Sequence, residues 1–437
     1  MLRLVIQKKV NNKKNGEWGV NRPFVKPSTL ATLDIGSSKV SCVIAHIGGR
    51  DKKIEIVGYG YNASKGIKNG VITDINQATL SICNAVETAE QMANERISRV
   101  IINVSGDKTR SLVRSTTISL HKNRPISEHD IEKIISKSNS KINTADNELV
   151  HCLPTNYRVD DGDNVKDPRN IYGESLSLDL MLGFYPDMLY KNLAAVIENA
   201  HLEIAEKTFS AYASALSCMV DDEKELGATL VDIGGGTTSI VTFKNGYPTH
   251  FSTIPIGGNN ITNDIAWGLT TSSLHAEDLK IRHGCAFLIS QDESESINVY
   301  PVGEEDDNYI KQIHKSDLIN IIAPRVEEIF EMINKKLVEH GLKDASSHRV
   351  ILTGGCSLLA GIRDVAALIL DKQVRLGVAR NIPNIPKELY SPVFSTALGM
   401  LLFAINYKER KPLNVISRPN IEIGGIGKIV SWFKQNF

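Results

Sequence analysis

A motif that occurs twice, almost 200 residues apart, limits most strongly what this chain can fold into. The segments Leu33–Val43 and Val231–Val241 both begin with an apolar strand that runs into Asp-Ile-Gly. Both then continue through a short polar turn into a second β-rich stretch. Such a repeat indicates a duplicated architecture with two hairpins that face each other. We therefore predict an α/β protein with two related lobes.

The two turns have a composition that is typical of phosphate binding. Gly36 and the glycines at 234–236 leave room for backbone N–H groups to point at phosphate oxygens, and Lys39 adds a positive charge. Further donors are the hydroxyl groups of Ser37, Ser38, Thr237 and Thr238. Asp34 and Asp232 would hold Mg²⁺ through water, because this ion keeps most of its hydration shell in proteins.

A third segment, Arg349–Gly361, has a buried strand that ends in Gly354 and Gly355, after which a helix begins. In α/β sheets this arrangement places backbone flush against a flat ligand at the carboxyl end of a strand. A purely structural strand–helix turn is the alternative. The spacing is neither G-x-G-x-x-G nor that of a P-loop, which excludes the Rossmann and Walker types of site.

Composition is ordinary for a folded protein of more than one domain. The chain has 437 residues, of which 42% are hydrophobic and 23% charged. No apolar stretch approaches the ~18 to 20 residues that a membrane-spanning helix needs. The six cysteines are widely spaced and form no C-x-x-C pair. This pattern argues against a disulfide scaffold or a zinc site and favours a reducing compartment.

The formal net charge of zero hides two basic ends. Residues 1–28 carry seven basic residues against one acidic residue, and residues 408–437 carry six against two. The part between them therefore holds 37 of the 50 basic and 47 of the 50 acidic residues. Such an acidic body argues against a nucleic-acid-binding core. For residues 1–28 we expect a flexible basic arm, with an organellar presequence as the alternative.

Residues 424–437 have the pattern of an amphipathic helix that follows a polar linker, 408–423. At ~100° per residue, bulky apolar side chains share one face, a tryptophan lies at its border and two lysines lie off it. Such a helix suits an anionic bilayer surface, whereas docking on the protein's own core is the alternative. The predicted membrane contacts are Ile426, Lys428, Ile429, Val430, Trp432, Phe433, Lys434 and Phe437.

In their order, the three internal segments resemble the phosphate-1, phosphate-2 and adenosine motifs of the actin/Hsp70/sugar-kinase superfamily. Further segments are similar to the FtsA family of bacterial actin-like cell division proteins: Ile102–Gly106, Pro125–Asp130, His151–Pro154, Ile254–Gly258, Leu279–Gly284 and Tyr390–Phe394. The resemblance runs from about residue 29 to 407 and resumes in the terminal helix. It implies an actin-like ATPase fold, with two duplicated lobes around a nucleotide cleft and an inserted small α/β subdomain.

The resemblance also implies domain boundaries. The first lobe (subdomain 1A) would comprise residues 29–102 and 179–226, with subdomain 1C inserted at 103–178. The second lobe would span residues 227–407 and include subdomain 2B at about 259–345.

By the same resemblance, the cleft binds ATP and Mg²⁺. The implied nucleotide-contacting residues are Asp34, Gly36, Ser37, Ser38, Lys39, Asp232, Gly234, Gly235, Gly236, Thr237, Thr238, Glu277, Lys280, Gly354, Gly355 and Ser357. Asp34 and Asp232 are implied as Mg²⁺ sites through water. For Glu277 and Lys280, an ordinary i,i+3 surface pair is the alternative.

The function implied is that of a polymer-forming adaptor, which anchors the FtsZ ring to the membrane through the C-terminal helix. Subdomain 1C would contact other division proteins and neighbouring copies in a filament. Arg325 and Glu328 match the positions that bind the FtsZ tail, with an exposed i,i+3 pair as the alternative. The implied location is the cytoplasmic face of the bacterial inner membrane at the division site.

The segment Glu206–Leu216 departs from related ATPases. It offers Ser210 and Ser214 but no evident residue to orient water for attack on the γ-phosphate. We therefore expect slow or negligible hydrolysis, with ATP acting chiefly as a clamp between the lobes. Alternatives with the same fold are a sugar-type small-molecule kinase, a chaperone ATPase and a pilus-assembly adaptor.

Overall fold

The computed structural model of the chain describes residues 28–48, 53–139, 142, 146–288, 294–303, 310–342 and 349–409. Within these ranges the chain forms two lobes with related sheets, and a small module is inserted in the first lobe. Residues 1–27 of the predicted N-terminal arm, the linker from residue 410 onward and the predicted membrane helix lie outside the described residues.

The first lobe begins with a sheet that is covered by one long helix. Its elements up to the insertion are β1 (Ser28–Ile35), β2 (Lys39–Gly48), β3 (Lys53–Ala63), β4 (Ile67–Lys68), β5 (Val71–Ile72), α1 (Ile75–Ala93) and β6 (Arg99–Val104). Helix α1 begins where the Asp74 side chain accepts a hydrogen bond from the Gln77 backbone N–H, as an N-cap does. It packs tightly on β3, since a Cβ at Gly60 would lie 2.3 Å from the Ala85 carbonyl oxygen.

After β6 the chain forms a separate module. Its elements are β7 (Arg110–Ser119), α2 (Glu128–Asn139), β8 (Asn147–Val159), β9 (Asn164–Val165) and β10 (Ser175–Pro186). The strands pair antiparallel in the order β7-β10-β8-β9, and the module has a hydrophobic core of its own around Ile118, Ile134 and Leu178. We call this unit the inserted module; the boundaries predicted for it, 103–178, stay a prediction.

Three elements complete the first lobe: α3 (Asp187–Asn199), β11 (Glu203–Phe209) and α4 (Ser210–Cys218). The first sheet has the order β11-β6-β1-β2-β3. Strands β11, β6 and β1 run parallel, whereas β1, β2 and β3 run antiparallel.

The second lobe repeats this pattern. Its elements are α5 (Asp221–Leu226), β12 (Ala228–Ile233), β13 (Thr238–Lys244), β14 (Tyr247–Ile254), α6 (Gly258–Gly268), α7 (Ser273–His283), β15 (Ser296–Val299), β16 (Lys311–His314), α8 (Lys315–Glu339), β17 (Arg349–Thr353), α9 (Ile362–Leu370), β18 (Gln373–Leu376) and α10 (Ser395–Glu409). The second sheet has the order β14-β13-β12-β17-β18, again with three antiparallel and two further parallel strands. The matching order confirms the predicted duplication.

Helices α4 and α10 lie side by side and connect the lobes. They approach so closely that a Cβ at Gly399 would lie 1.8 Å from the Ala213 carbonyl oxygen. Helix α10 also contacts the first sheet, where the Thr32 hydroxyl donates to the Ala397 carbonyl at 3.1 Å. Helix α4 packs on β12 and β13 of the second sheet. No helix in the described part of the chain is long and apolar enough to cross a membrane.

Candidate functional site

A cleft of about 520 Å³ lies between the two lobes. The β1–β2 turn lines it from the first lobe and the β12–β13 turn from the second. The start of α6, helix α7 and the turn after β17 form the remaining walls. The two halves of the repeated motif therefore face each other, as the sequence predicted.

The first turn is closed by a hydrogen bond from the Gly36 backbone N–H to the Lys39 carbonyl oxygen, at 3.0 Å. Asp34, at the end of β1, is held by Asn103 at the end of the neighbouring parallel strand. The Asn103 amide donates to Asp34 Oδ1 at 2.9 Å and accepts from the Ile35 backbone N–H at 2.7 Å. One amide side chain thus fixes both the carboxylate and the backbone of the turn.

Lys39 supplies the positive charge of the first turn, but its ammonium group is already engaged. Its Nζ lies 3.6 Å from Asp34 Oδ2, donates to Ser41 Oγ at 2.8 Å and lies 4.2 Å from the centre of the Phe394 ring. Lys39 therefore balances the charge of Asp34 and packs against an aromatic face.

The second turn has the same backbone bond, from the Gly234 N–H to the Thr237 carbonyl oxygen at 2.9 Å. Its carboxylate is held differently. Asp232 Oδ2 accepts hydrogen bonds from Ser214 on α4 at 2.7 Å and from Thr396 on α10 at 3.0 Å. Both donors belong to the helices that connect the lobes.

Burial in the cleft perturbs the charged groups of both turns. It raises the pKa of Asp34 to about 6 despite the opposing effect of Lys39, and it raises the pKa of Asp232. Burial also lowers the pKa of Lys39. A cation beside the two carboxylates would favour their ionised forms, because it would offset the cost of desolvation. The donor set therefore fits a hydrated divalent cation.

The two turns touch across the cleft, which explains the glycines of the second one. A Cβ at Gly235 would lie 1.7 Å from Ser38 Oγ, and a Cβ at Gly236 would lie 2.7 Å from Ser37 Oγ. Ser38 also donates to Asn259 Oδ1, at the start of α6, at 2.7 Å. Side chains at positions 235 and 236 would force the lobes apart.

The third predicted segment forms the wall beside the turns. Gly354 follows β17 with a φ of +85°, which favours glycine. A Cβ there would lie 2.4 Å from Asp232 Oδ1. Leu358 and Leu359 after it, with Val393 opposite, give this end of the cleft an apolar lining suited to a flat ring.

Glu277 and Lys280 line the cleft from helix α7. Lys280 Nζ lies 2.7 Å from Glu277 Oε2, donates to the Gly258 carbonyl at 3.0 Å and contacts Thr262 Oγ1 at 2.8 Å. Only 11% of the Lys280 side chain is exposed. The pair thus connects α7 to the start of α6 and differs from an ordinary surface pair.

Comparison with known proteins identifies the family. A family model described as cell division protein FtsA matches residues 229–399, and one described as the SHS2 domain inserted in FtsA matches residues 106–182. The cell division protein FtsA of Agrobacterium fabrum is 34% identical over 423 residues, which cover 93% of this chain and 95% of the relative. The chain belongs to the FtsA family. The FtsA of Escherichia coli K12 is 28% identical over 413 residues, covering 93% of this chain and 97% of the relative.

Solved structures show that this chain has an actin-like fold. The PilM-PilN type IV pilus biogenesis complex aligns with a TM-score of 0.59 and 16% identity, over 88% of this chain and 99% of the other. MreB5 of Spiroplasma citri aligns with a TM-score of 0.52 and 13% identity, over 89% of this chain and all (100%) of the other. The FtsA resemblance and the predicted actin-like fold are confirmed.

Most of the residues that the FtsA resemblance implied for the nucleotide lie together in the cleft. Those in its lining are Asp34, Gly36, Ser37, Ser38, Lys39, Asp232, Gly234, Gly235, Thr237, Glu277, Lys280, Gly354 and Gly355. Gly236, Thr238 and Ser357 are not in the lining. Thr238 donates to the Ile256 carbonyl at 2.8 Å and Ser357 to the Gly354 carbonyl at 2.7 Å, so both hydroxyls stabilise turns.

The residues implied for FtsZ lie on α8, in the second lobe. Arg325 makes two hydrogen bonds to Asp264 on α6, at 2.6 and 3.0 Å, and one to Glu328. These three side chains form a partly buried cluster that we call the α6–α8 ion cluster. The residues implied for membrane contact, 426–437, lie outside the described residues.

Three residues of the cleft lining were not predicted from the sequence: Asn103, Asn259 and Thr396. Asn103 lies in the quoted segment Ile102–Gly106, where a polar residue in an apolar strand next to β1 was an available signal. Thr396 carries no local signal, because it meets Asp232 only through the packing of α10. Within the described ranges no three His, Cys, Asp or Glu side chains gather to hold a metal ion.

Proposed function

We propose that this FtsA-family chain binds ATP with Mg²⁺ in the cleft between its lobes. The observation that carries the proposal is the pair of facing turns. They approach so closely that only glycine fits at positions 235 and 236, and each turn follows a buried carboxylate. Two structures with the same fold support it, since the MreB5 proteins of Spiroplasma citri are described as bound to ADP and to AMPPNP.

In this proposal the two turns bind the phosphates through backbone N–H groups and the hydroxyls of Ser37, Ser38 and Thr237. Asp34 and Asp232 hold Mg²⁺ through water, and the ion supplies positive charge to the phosphates. The backbone at Gly354 and Gly355 lies against the nucleoside. The remaining residues implied for the nucleotide shape the site: Lys39, Gly236, Thr238, Glu277, Lys280 and Ser357.

We expect slow or negligible hydrolysis, because the serines near the two carboxylates are already engaged. Ser210 accepts from Asn103 at 3.0 Å, and Ser214 bonds to Asp232 and Thr396. ATP then stabilises a closed arrangement of the lobes without being consumed. A small-molecule kinase is not favoured, because the relatives over the whole chain are cell division proteins.

As an FtsA-family adaptor, the protein would bind the C-terminal tail of FtsZ at the α6–α8 ion cluster. Arg325 forms ion pairs with both Asp264 and Glu328. A peptide that carries acidic and basic side chains can therefore form ion pairs with these three residues in place of those they make with each other. We expect Arg325→Ala to weaken binding of a fluorescent FtsZ-tail peptide by about tenfold or more. Lys336→Ala, which removes an ion pair with Glu339 on the same helix, is the matched control. Equal binding by both variants would move the FtsZ site elsewhere.

The predicted helix at 424–437 would hold the protein on the cytoplasmic face of the inner membrane at the division site. One such helix binds weakly, whereas many in one filament bind strongly through effective concentration. The test is co-sedimentation with anionic liposomes, with Mg-ATP and increasing salt, for the full chain and a chain ending at Asn420. We expect only the full chain to pellet, and more of it with ATP. Pelleting of the shortened chain would contradict the anchor.

Polymerisation and recruitment of later division proteins through the inserted module complete the proposed role. The charge distribution gives the acidic body no evident role in binding nucleic acid. Direct evidence for polymers would come from electron microscopy on lipid monolayers with Mg-ATP, where filaments are expected on the lipid and dispersed particles would oppose the proposal.

A further inference from the structure

A buried histidine of the inserted module contacts a short segment that bonds to one cleft carboxylate directly and to the other through Asn103. The histidine is His151, on β8, and only 2% of it is exposed. The segment is 208–214, which contains the end of β11 and the first turn of α4. Its two sides face the cleft and the module.

On the cleft side, segment 208–214 reaches both halves of the repeated motif. Ser210 Oγ lies 3.0 Å from the Asn103 amide, which in turn donates to Asp34 Oδ1. Ser214 Oγ donates to Asp232 Oδ2 at 2.7 Å. A ligand that shifts Asp232 therefore acts on this segment through the Ser214 hydroxyl, and one that shifts Asp34 acts on it through the Asn103 amide and the Ser210 hydroxyl.

On the module side, the same segment is fixed by the His151 ring. His151 Nε2 accepts a hydrogen bond from the Phe209 backbone N–H at 3.0 Å and lies 3.2 Å from Thr208 Oγ1. The ring centre is 5.1 Å from that of Phe209 and 4.9 Å from that of Tyr212, both in edge-to-face geometry. Since Nε2 accepts from a backbone N–H, the neutral ring carries its proton on Nδ1.

The same ring also contacts the second lobe and the helix that connects the lobes. It stacks on Phe251 of β14 with ring centres 5.5 Å apart, and Phe403 of α10 lies edge-on at 5.8 Å. Burial lowers the pKa of His151 to about 3, so the ring stays neutral at physiological pH. His151 thus contacts α4, α10 and strands of both lobes from within the inserted module.

Close packing leaves this junction little freedom to move independently. On the neighbouring strand β10, a Cβ at Gly183 would lie 2.5 Å from the Phe209 ring. Tightly packed contacts of this kind change between discrete arrangements rather than deform gradually. A displacement of Phe209 must therefore be matched by β8 and β10.

We propose that His151 couples occupancy of the cleft to the conformation of the inserted module, through its hydrogen bond to Phe209 and segment 208–214. The inference rests on nucleotide binding in the cleft and adds how that site is regulated. Coupling is reciprocal, so whatever occupies the module's surface would also change nucleotide affinity through the same bond. Binding in the cleft would then change the conformation of the module, and binding at the module would change nucleotide affinity in the cleft.

The test is hydrogen–deuterium exchange of peptides from β8 and β10 in the full chain, with and without saturating Mg-ATP. In the wild type we expect Mg-ATP to slow exchange in these strands by about fivefold or more, the lower end of typical couplings. His151→Phe keeps a ring but removes the acceptor, and it should abolish this response. His151→Gln offers an amide oxygen to the Phe209 N–H and should retain it.

Two further variants separate coupling from mere stability. Ile134→Val, in the separate core of the module, should lower stability and keep the response. If His151→Phe does not fold, Tyr212→Leu is measured instead. It removes the ring contact of Tyr212 with His151, together with those to Phe243, Phe251 and Phe403, and keeps the His151–Phe209 hydrogen bond. It should reduce the response at least about twofold. A response that persists in His151→Phe, or in Tyr212→Leu where that variant replaces it, overturns the proposal.

Measurements on the wild type distinguish failure of the proposed coupling from failure of the proposed nucleotide binding. If Mg-ATP binds, as seen by calorimetry, and exchange in β8 and β10 does not change, the coupling is refuted while the proposed function stands. If Mg-ATP does not bind at all, the proposed function fails and the coupling fails with it.

Discussion

The two halves of the cleft share a backbone and differ in what holds their carboxylates. Both turns are closed by nearly equal hydrogen bonds, at 3.0 Å for Gly36 and 2.9 Å for Gly234. Asp34 is held within its own lobe by the Asn103 amide, whereas Asp232 is held by hydroxyls from α4 and α10. Duplication thus preserved the turn, and the side-chain partners diverged.

The different partners of Asp34 and Asp232 indicate different roles for the two halves of the cleft. In the first half, Asp34 is held by Asn103 and Lys39, which both belong to the first lobe. In the second half, Ser214 and Thr396 make the position of Asp232 depend on the helices that connect the lobes. We infer that the position of Asp232 changes with the arrangement of the lobes. The first turn is then a fixed surface against which the second turn closes.

The largest expected effect comes from filling the contact between the turns. Gly235→Val would place a Cβ 1.7 Å from Ser38 Oγ and 2.8 Å from Ser38 Cβ. Overpacking of this kind costs about 1–3 kcal/mol, so we expect Mg-ATP binding to weaken by about ten- to a hundredfold. Fluorescence titration with a labelled ATP analogue measures the loss.

Ser38→Gly supplies the matched control for this variant. Alone it removes the Ser38–Asn259 hydrogen bond and one of the three hydroxyls proposed to bind phosphate, and it should weaken binding less than Gly235→Val does. Combined with Gly235→Val it makes room for the new side chain, so the double variant should recover much of the lost affinity. No recovery would mean that the glycine is needed for a reason other than contact with the first turn.

A smaller effect should distinguish how the two carboxylates are held. Ser214→Ala with Thr396→Val leaves a buried carboxylate oxygen of Asp232 unpaired, which costs about 1–3 kcal/mol of unfolding free energy. Asn103→Leu should cost a similar amount, because it leaves Asp34 Oδ1 and the Ile35 N–H without their partner.

Hydrogen exchange in α10 then separates these two variants. We expect it to accelerate in the Ser214/Thr396 double variant, because α10 loses its hydrogen bond to Asp232 of β12. It should stay near the wild-type rate in Asn103→Leu. Equal acceleration in both variants would contradict the assignment of a local and a connecting half.

The smallest effect concerns the charge of the first turn. Lys39→Thr gives the first turn the residue that the second turn has at the equivalent position, Thr237. Because the ammonium is already engaged by Asp34 and Ser41, we expect nucleotide affinity to fall by less than about tenfold. A loss as large as that of Gly235→Val would show that Lys39 contacts phosphate directly.

The sequence predicted the parts of the site that depend on local pattern. The repeated Asp-Ile-Gly turns and Gly354 were recognisable from short sequence patterns, and the repeat predicted two related lobes with facing hairpins. Thr396 could not be predicted, since it is 164 residues from Asp232 and reaches it only through helix packing. Ser357 lies in a predicted motif, but its hydroxyl donates to the Gly354 carbonyl of the same turn. The residue type alone does not reveal this hydrogen bond.

Isothermal titration of Mg-ATP into the full chain tests the central claim most directly, with Gly235→Val and the Ser38→Gly/Gly235→Val double variant measured beside the wild type. We predict saturable binding at one site per chain that depends on Mg²⁺, weakens in the single variant and largely recovers in the double variant. Absence of binding in the wild type, or equal binding by all three proteins, would contradict the assignment of the cleft as the nucleotide site.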